Sequence, residues 1–403
     1  MRRVVITGIG AVSPLGLTAS ATWAGMRAGR VAIGPLQSVP REGLRAGIAA
    51  EVRDFDPLAH FDEKRLILLD RVSQFALVAA REAVAQAGLE FRAAGLGART
   101  ACIVGTGIGG ELTHDEASRR MYADNNPRVH PLTIVKTMAN APACQISMEF
   151  GLTGPAFAVS SACASSNHAL AQALQMIRCG MADVAVAGGT EACISLGGVR
   201  AWEAMRVLAD DTCRPFSKQR RGLVLGEGAG VFVLETLSHA RRRGAEVLAE
   251  LAGAGLTADA ADIVMPDPAG AARAMRAALQ QAGLAPQDVG YINAHGTGTP
   301  ANDPAETRAI RAVFGAQADA LAVSSTKSMH GHALGAGGAI ELVAVIGALR
   351  QGVLPPTLNY LGPDPECDLD VVPNVARSQP VAAALSNSFA FGGLNAVLAL
   401  RRA

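Results

Sequence analysis

The chain of 403 residues carries 36 lysines and arginines against 35 aspartates and glutamates; half of it is hydrophobic and 18% is charged. So much apolar material excludes a disordered chain, and the length, above the roughly 100–200 residues of one domain, points to two packed units. A formal charge of +1 leaves no electrostatic footprint for nucleic acid or for a polybasic membrane anchor. No uninterrupted apolar run reaches the ~20 residues of a membrane-spanning helix. The seven cysteines, an odd number without CxxC pairing, fit the reduced thiols of a cytoplasmic protein.

In chain order, the apolar start VVITGIGAV is broken by Gly8, Gly10, Pro14 and Gly16, so Arg3–Thr7 reads as a buried strand, not a leader. Arg71–Ala87 has apolar residues at helical spacing. Ala101–Val104 is a strand, His168–Cys179 a helix, and Val184–Ala187 and Gly230–Glu235 are strands. A charged stretch at 240–247 divides the chain into residues 1–243 and 244–403. The second half opens near Arg243 and AEVLAELAGAGL. It continues with a helix at Ala271–Ala282, a strand at Val289–Ile292, a helix at Gly338–Leu349 and strands at Ala382–Ser386 and Ala396–Leu400. Apolar strands separated by helices predict an α/β fold with a mostly parallel sheet covered on both faces.

Gly105–Gly110 satisfies GxGxxG after a strand, the pattern of a dinucleotide loop. The polar ELTHDEASRRMYADNNPR that follows lacks the second strand and its closing acidic residue, so close backbone packing is the favoured role. Gly226–Gly230 is read the same way.

The segment Phe157–His168 ends an apolar strand, crowds small residues around Cys163 and opens a helix. That strand–turn–helix presents a cysteine above a sheet, where a helix N-terminus favours the thiolate nucleophile. Asn293–Asp303 (NAHGTGTPAND) sets His295 just past a strand end, and Ser324–Gly338 (SSTKSMHGHALGAGG) sets Lys327 and His332 between a strand and a helix. In open α/β sheets ligands sit beyond the carboxyl ends of strands, so these segments converge with Cys163. Two histidines and a thiol suit zinc as well, but no short ligand spacing supports a metal. His60, His114, His130 and His239 read as satisfied polar residues, and His168 and His330 as structural support.

These motifs, in this order and across essentially the whole chain, resemble the elongating β-ketoacyl-acyl carrier protein synthases of the Cys-His-His type. The resemblance implies a thiolase-like fold: two similar βαβ-based halves, each with its own sheet, in a five-layer α-β-α-β-α arrangement. It implies decarboxylative Claisen condensation, in which an acyl thioester loaded on Cys163 is extended by malonyl-acyl carrier protein to a β-ketoacyl thioester. It further implies oxyanion donors in the N–H groups of Cys163 and Phe391, enolate stabilisation by His295 and His332, and electrostatic support from Lys327 with Glu341. By the same resemblance Thr297 and Thr299 hold the phosphopantetheine arm, Asp303 supports them, Ile108 lines the acyl pocket, Gly392 is a further substrate-binding residue, and Phe391 is the gate. No cofactor of the protein's own is implied, since phosphopantetheine enters on the carrier protein. The expected partners are that carrier and a second subunit, as a homodimer or a heterodimer.

The chain departs from the family at Ala390 and Leu394, where glycine and threonine are usual, at Arg214–Arg221, which lacks acidic residues, and after Lys64-Arg65, where the basic run stops. The ending AFGGLNAVL, with DPECDLDVVPN before it, is similar to specialised nodulation-type and polyene-type branches. The alternatives are an active subunit paired with a chain-length partner, a silent chain-length partner, which the presence of Cys163 argues against, and a nucleotide-dependent oxidoreductase resting on Gly105–Gly110.

Overall fold

The computed structural model describes residues 2–92 and 95–403. Its longer elements begin with β1 (Val4–Val12), α1 (Ala19–Arg27), α2 (Arg71–Ala87), β2 (Thr100–Gly105), α3 (Glu111–Tyr122) and α4 (Ala141–Phe150). Then come β3 (Ala156–Val159), α5 (Ser165–Arg178), β4 (Val184–Glu191), α6 (Leu196–Ala204) and β5 (Gly228–Thr236). The remainder is β6 (Ala249–Ala258), α7 (Pro268–Ala282), β7 (Val289–Asn293), α8 (Asn302–Phe314), β8 (Ala322–Ser324), α9 (Gly337–Gln351), β9 (Ala383–Ala390) and β10 (Leu394–Arg401). Helix α2 has the expected bounds because both ends carry caps. The Asp70 side chain accepts from the N–H of Val72, and Gly88 takes the left-handed conformation that closes the last turn.

The strands run in the order β8-β7-β9-β10-β6-β1-β5-β4-β2-β3. Pairings β2–β3, β2–β4, β7–β8 and β7–β9 are parallel, while β1–β5, β1–β6, β4–β5, β6–β10 and β9–β10 are antiparallel. The expected mostly parallel sheet is therefore a mixed one. Strands buried on both faces read as continuous apolar runs whichever way their neighbours point, so direction is not encoded in the pattern. Nor are the two halves wholly separate sheets: they meet where Val5 and Ile6 of β1 pair with Glu250 and Ala249 of β6.

Helices α5 and α9 pack against strands of both halves and form the middle layer, around which the largest core cluster gathers. Helix α2 covers the outer face of the first half, and α7 with α8 that of the second. Five layers result. The segment Leu334–Gln351 is long and apolar enough to cross a membrane, with a mean hydropathy of 1.3, but 89% of it is buried in this middle layer.

The glycine motifs serve packing. A Cβ at Gly8 would stand 2.0 Å from the carbonyl oxygen of Ala83 and one at Gly10 1.9 Å from that of Ala79, so α2 lies directly on β1. Gly253 and Gly255 bring α7 equally close to β6, a strand whose AELAGAGLTA sequence carries little β propensity of its own. A helix does open straight after Gly110, but α4, another helix, comes before the next strand, β3. Gly105 abuts the Ser165 backbone and Gly110 that of Lys136, so both are filled by protein.

Candidate active site

Cys163 sits in the turn between β3 and α5. Its predecessor Ala162 has a φ of 48°, a left-handed conformation uncommon for a residue with a side chain, and this makes the chain reverse sharply. Two bonds hold the elbow: the N–H of Ser161 donates to the Ser165 hydroxyl at 2.9 Å, and that hydroxyl donates to the Ala162 carbonyl at 2.6 Å. His168 backs the same turn, its Nδ1 lying 2.9 Å from the Ser161 hydroxyl, in the structural role expected of it.

His332 follows the short helical turn Lys327–His330 and Gly331, whose φ of 68° demands glycine. Its backbone is clamped to the segment before β5: its N–H donates to the Val224 carbonyl at 2.7 Å, and its carbonyl accepts from Gly226 at 2.9 Å. That clamp needs Gly226, since a Cβ there would meet the His330 carbonyl at 2.5 Å. The imidazole Nε2 of His332 thereby reaches 3.0 Å from the Cys163 sulfur. His330 turns away and bonds Thr326 at 3.0 Å.

His295 lies just past β7, with its ring edge-on to that of His332 at a centroid separation of 5.3 Å. Its position is set by Glu306 on α8, a buried carboxylate the sequence reading missed. Glu306 accepts from the N–H groups of His295 at 2.9 Å and Gly296 at 2.8 Å and from the Asn387 side chain at 3.0 Å. A signal was present: Asp303 and Glu306, three apart, share one helix face. Asp303 is also buried and accepts from the N–H groups of Phe216 at 2.7 Å and Gly298 at 3.1 Å, shaping the loop that carries Thr297 and Thr299.

Lys327 is buried and paired with Glu341 of α9. Burial raises the Glu341 carboxyl and the Lys327 charge pulls it back. The buried oxygens Asn293 Oδ1, Glu341 Oε2, Ser386 Oγ and Asn387 Oδ1 have no hydrogen-bond partner among the described residues, and Ser386 and Asn293 are paired across β9 and β7.

The electrostatics overturn one expectation. Burial pushes the Cys163 thiol up to about 12, against the pull of Lys327, so the helix end does not leave a resting thiolate. Burial, then Lys327, then the neighbouring ring holds His295 well below its ordinary value; burial, Lys327 and His330 do the same for His332. The resting pair is a thiol against a neutral imidazole, an arrangement that can pass a proton from sulfur to nitrogen as the sulfur attacks carbon.

Cys163, both imidazoles, Thr297, Thr299 and Phe391 line one cleft open to solvent. Two other expected residues lie elsewhere. Ile108 is 42% exposed and outside the cleft, while its N–H donates to Glu191. Gly392 is exposed at the tip of the β9–β10 turn, with its N–H on the Ile263 carbonyl at 2.8 Å. The cleft wall also contains Trp202, stacked on Phe391 at 6.0 Å between ring centroids, and at its rim Val264 and Met265. These gave no sequence signal, because a lone aromatic or aliphatic residue reads as core. Glu191 was missed likewise: buried, it accepts from Gly107, Ile108 and Gly335 and from the Thr106 hydroxyl, tying the glycine loop to the start of α9.

Comparison with known proteins agrees with this geometry. Residues 1–240 match the β-ketoacyl synthase N-terminal domain and residues 248–361 its C-terminal domain. The chain is 53% identical over its whole length to nodulation protein E of Rhizobium sp. (strain N33), covering 99% of that protein. It is 41% identical to 3-oxoacyl-[acyl-carrier-protein] synthase 2 of Staphylococcus aureus (strain COL), covering 98% of it. Among solved structures, the ishigamide ketosynthase/chain length factor superposes with a TM-score of 0.95 at 38% identity, covering all of this chain and 99% of the other. A β-ketoacyl synthase from Burkholderia phymatum STM815 gives 0.93 at 34%, covering both chains in full.

Proposed function

Because the chain belongs to the β-ketoacyl synthase family, we propose that Cys163, His295 and His332 carry out its condensation of an acyl thioester with malonyl-acyl carrier protein. The observation that carries this assignment is the 3.0 Å contact between the Cys163 sulfur and the His332 Nε2, with His295 beside it in the same cleft.

In the first stage the Cys163 sulfur attacks the acyl thioester carbonyl while its proton passes to His332. The N–H groups of Cys163 and Phe391 receive the oxyanion, and the departing carrier thiolate takes the proton back from His332. In the second stage a malonyl thioester loses carbon dioxide, and the electron pair left behind forms an enolate whose oxygen accepts hydrogen bonds from neutral His295 and from neutral His332 once its ring proton has moved to the Nε2 tautomer. The enolate carbon then attacks the acyl-cysteine carbonyl, and collapse releases Cys163 and the β-ketoacyl thioester. Losing one such donor costs on the order of 10²–10³ in rate. Burial, reinforced by the Lys327 charge, keeps both imidazoles neutral and therefore able to donate.

Thr297 and Thr299, with hydroxyl oxygens 3.0 Å apart on the cleft wall, hold the phosphopantetheine arm, supported by Asp303. Phe391 gates the cleft, with Trp202 as its resting surface. The acidic carrier docks on basic residues around the groove lined by Arg120, Arg128 and Lys136, near Lys64 and Arg65. No cofactor of the protein's own enters the scheme, and the cytoplasm is its place of action.

The similarity to nodulation protein E supports service in a dedicated pathway rather than bulk fatty-acid elongation. Equal complementation of a strain lacking its housekeeping elongating synthase would count against that. The second reading, an active half of a heterodimer, is favoured by the likeness to the ishigamide ketosynthase/chain length factor.

The assignment is tested by intact mass after exposure to acyl-carrier proteins of graded length. Adducts on the wild type and none on Cys163→Ala are expected; equal labelling of the variant would remove Cys163 as nucleophile.

A further inference from the structure

Cys163, His295 and His332 come from three segments far apart in sequence, yet each offers a donor atom and these atoms all lie within 4.8 Å of one another. Tetrahedral zinc, with bonds of about 2.3 Å to sulfur and 2.0–2.1 Å to nitrogen, spaces its ligand atoms at roughly 3.3–3.6 Å, so closing on an ion takes side-chain shifts on the order of 1 Å. The supports are rigid: Glu306 fixes the His295 backbone, residues 224–226 fix His332, and the elbow fixes Cys163. The cleft supplies both an entry path and an open fourth position.

We propose that the three side chains also form a binding site for a thiophilic divalent cation, zinc above all, which shuts the enzyme off reversibly. One sulfur and two nitrogens exclude magnesium and calcium, which require oxygen ligands, and select zinc or its chemical relatives. On binding, the Cys163 S–H bond breaks, a sulfur–metal bond forms, and one proton leaves to solvent. The nucleophile is then masked and both histidines lose the nitrogen they turn towards substrate. A chelator restores the free thiol. The proposal concerns the same three side chains assigned to condensation but needs no substrate to act on them.

The test uses cobalt(II) as an optical probe of the intact protein. The wild type should bind one cobalt with a thiolate-to-metal charge-transfer band that zinc displaces. Cys163→Ala should lose the band, and His295→Ala and His332→Ala should weaken binding by more than about 100-fold. A band that survives in Cys163→Ala, or none in the wild type at millimolar cobalt, overturns the proposal. A second measurement needs no variant. Zinc should slow alkylation of Cys163 by iodoacetamide at least about tenfold and leave the exposed Cys144 and Cys179 reacting as before. Unchanged alkylation of Cys163 overturns the proposal while leaving the acyl-adduct experiment to judge the condensing role by itself.

Discussion

Replacing Glu306 by alanine strands the buried N–H groups of His295 and Gly296 together. Each orphaned donor costs about 1–3 kcal/mol, so denaturant unfolding should show a loss of about 2–6 kcal/mol. Glu306→Gln keeps one acceptor and should recover part of it; equal losses for the two variants would mean the carboxylate does not position His295. The catalytic histidines make a sharper case. An exposed imidazole titrates near pH 6.5, but burial and Lys327 hold His295 and His332 well below that, so their ring ¹⁵N shifts should stay unchanged between pH 8 and pH 6. A protonation step in that window would remove the account of both rings as neutral donors. At this scale Cys163, His295, Lys327 and His332 were legible because each sits in a run of small residues between a strand and a helix. Glu306, Glu191 and Trp202 were not, because their roles exist only through what they touch across the fold.

Among the elements, β1 and α2 depend on glycines that no other residue can replace without moving backbone. Gly8→Ala or Gly10→Ala forces the helix off the strand and should cost about 3 kcal/mol or more, read as a fall in denaturation midpoint. A second device fastens the same region. Glu235 at the end of β5 is buried, accepts from Thr7 of β1 at 2.6 Å, and pairs with Arg243 and His239. Burial raises its carboxyl, but the bonds from Arg243, Thr7 and His239 outweigh burial and hold it below the ordinary value. The sign follows from that depression. The stabilisation is complete above the unfolded carboxyl value near pH 4.5 and is lost as pH falls through the lower folded value. Urea midpoints at pH 7 and pH 4 should therefore diverge, and Glu235→Gln should narrow the gap. Arg243→Met leaves the buried carboxylate with only Thr7 and His239 as partners and should lower the urea midpoint at pH 7.

For the whole molecule, the sheet ends on β3, whose four residues are partly or fully exposed, including Phe157. An edge strand with unpaired backbone groups and an exposed aromatic side chain is a natural seat for a second subunit. Light scattering should find the wild type dimeric and Phe157→Asp monomeric with an unchanged circular dichroism spectrum. A monomeric wild type would favour the heterodimer instead.

Periodicity and small-residue crowding are local properties, so the chain itself determined the α/β alternation, the bounds of α2, the cysteine elbow and the two histidine loops. The family resemblance carried by those motifs supplied the five layers and the chemistry. Tertiary structure alone decided three things: the direction of the strands, the wall and rim of the cleft, and the protonation of the site. Direction was hidden because a strand buried on both faces has the same apolar pattern in either orientation. The cleft was hidden because it joins residues as far apart as Trp202, Val264 and Phe391. The resting thiol was hidden because a helix N-terminus near Cys163 argued for thiolate, whereas burial at the floor of the cleft argues more strongly against charge, and only the folded chain shows that burial.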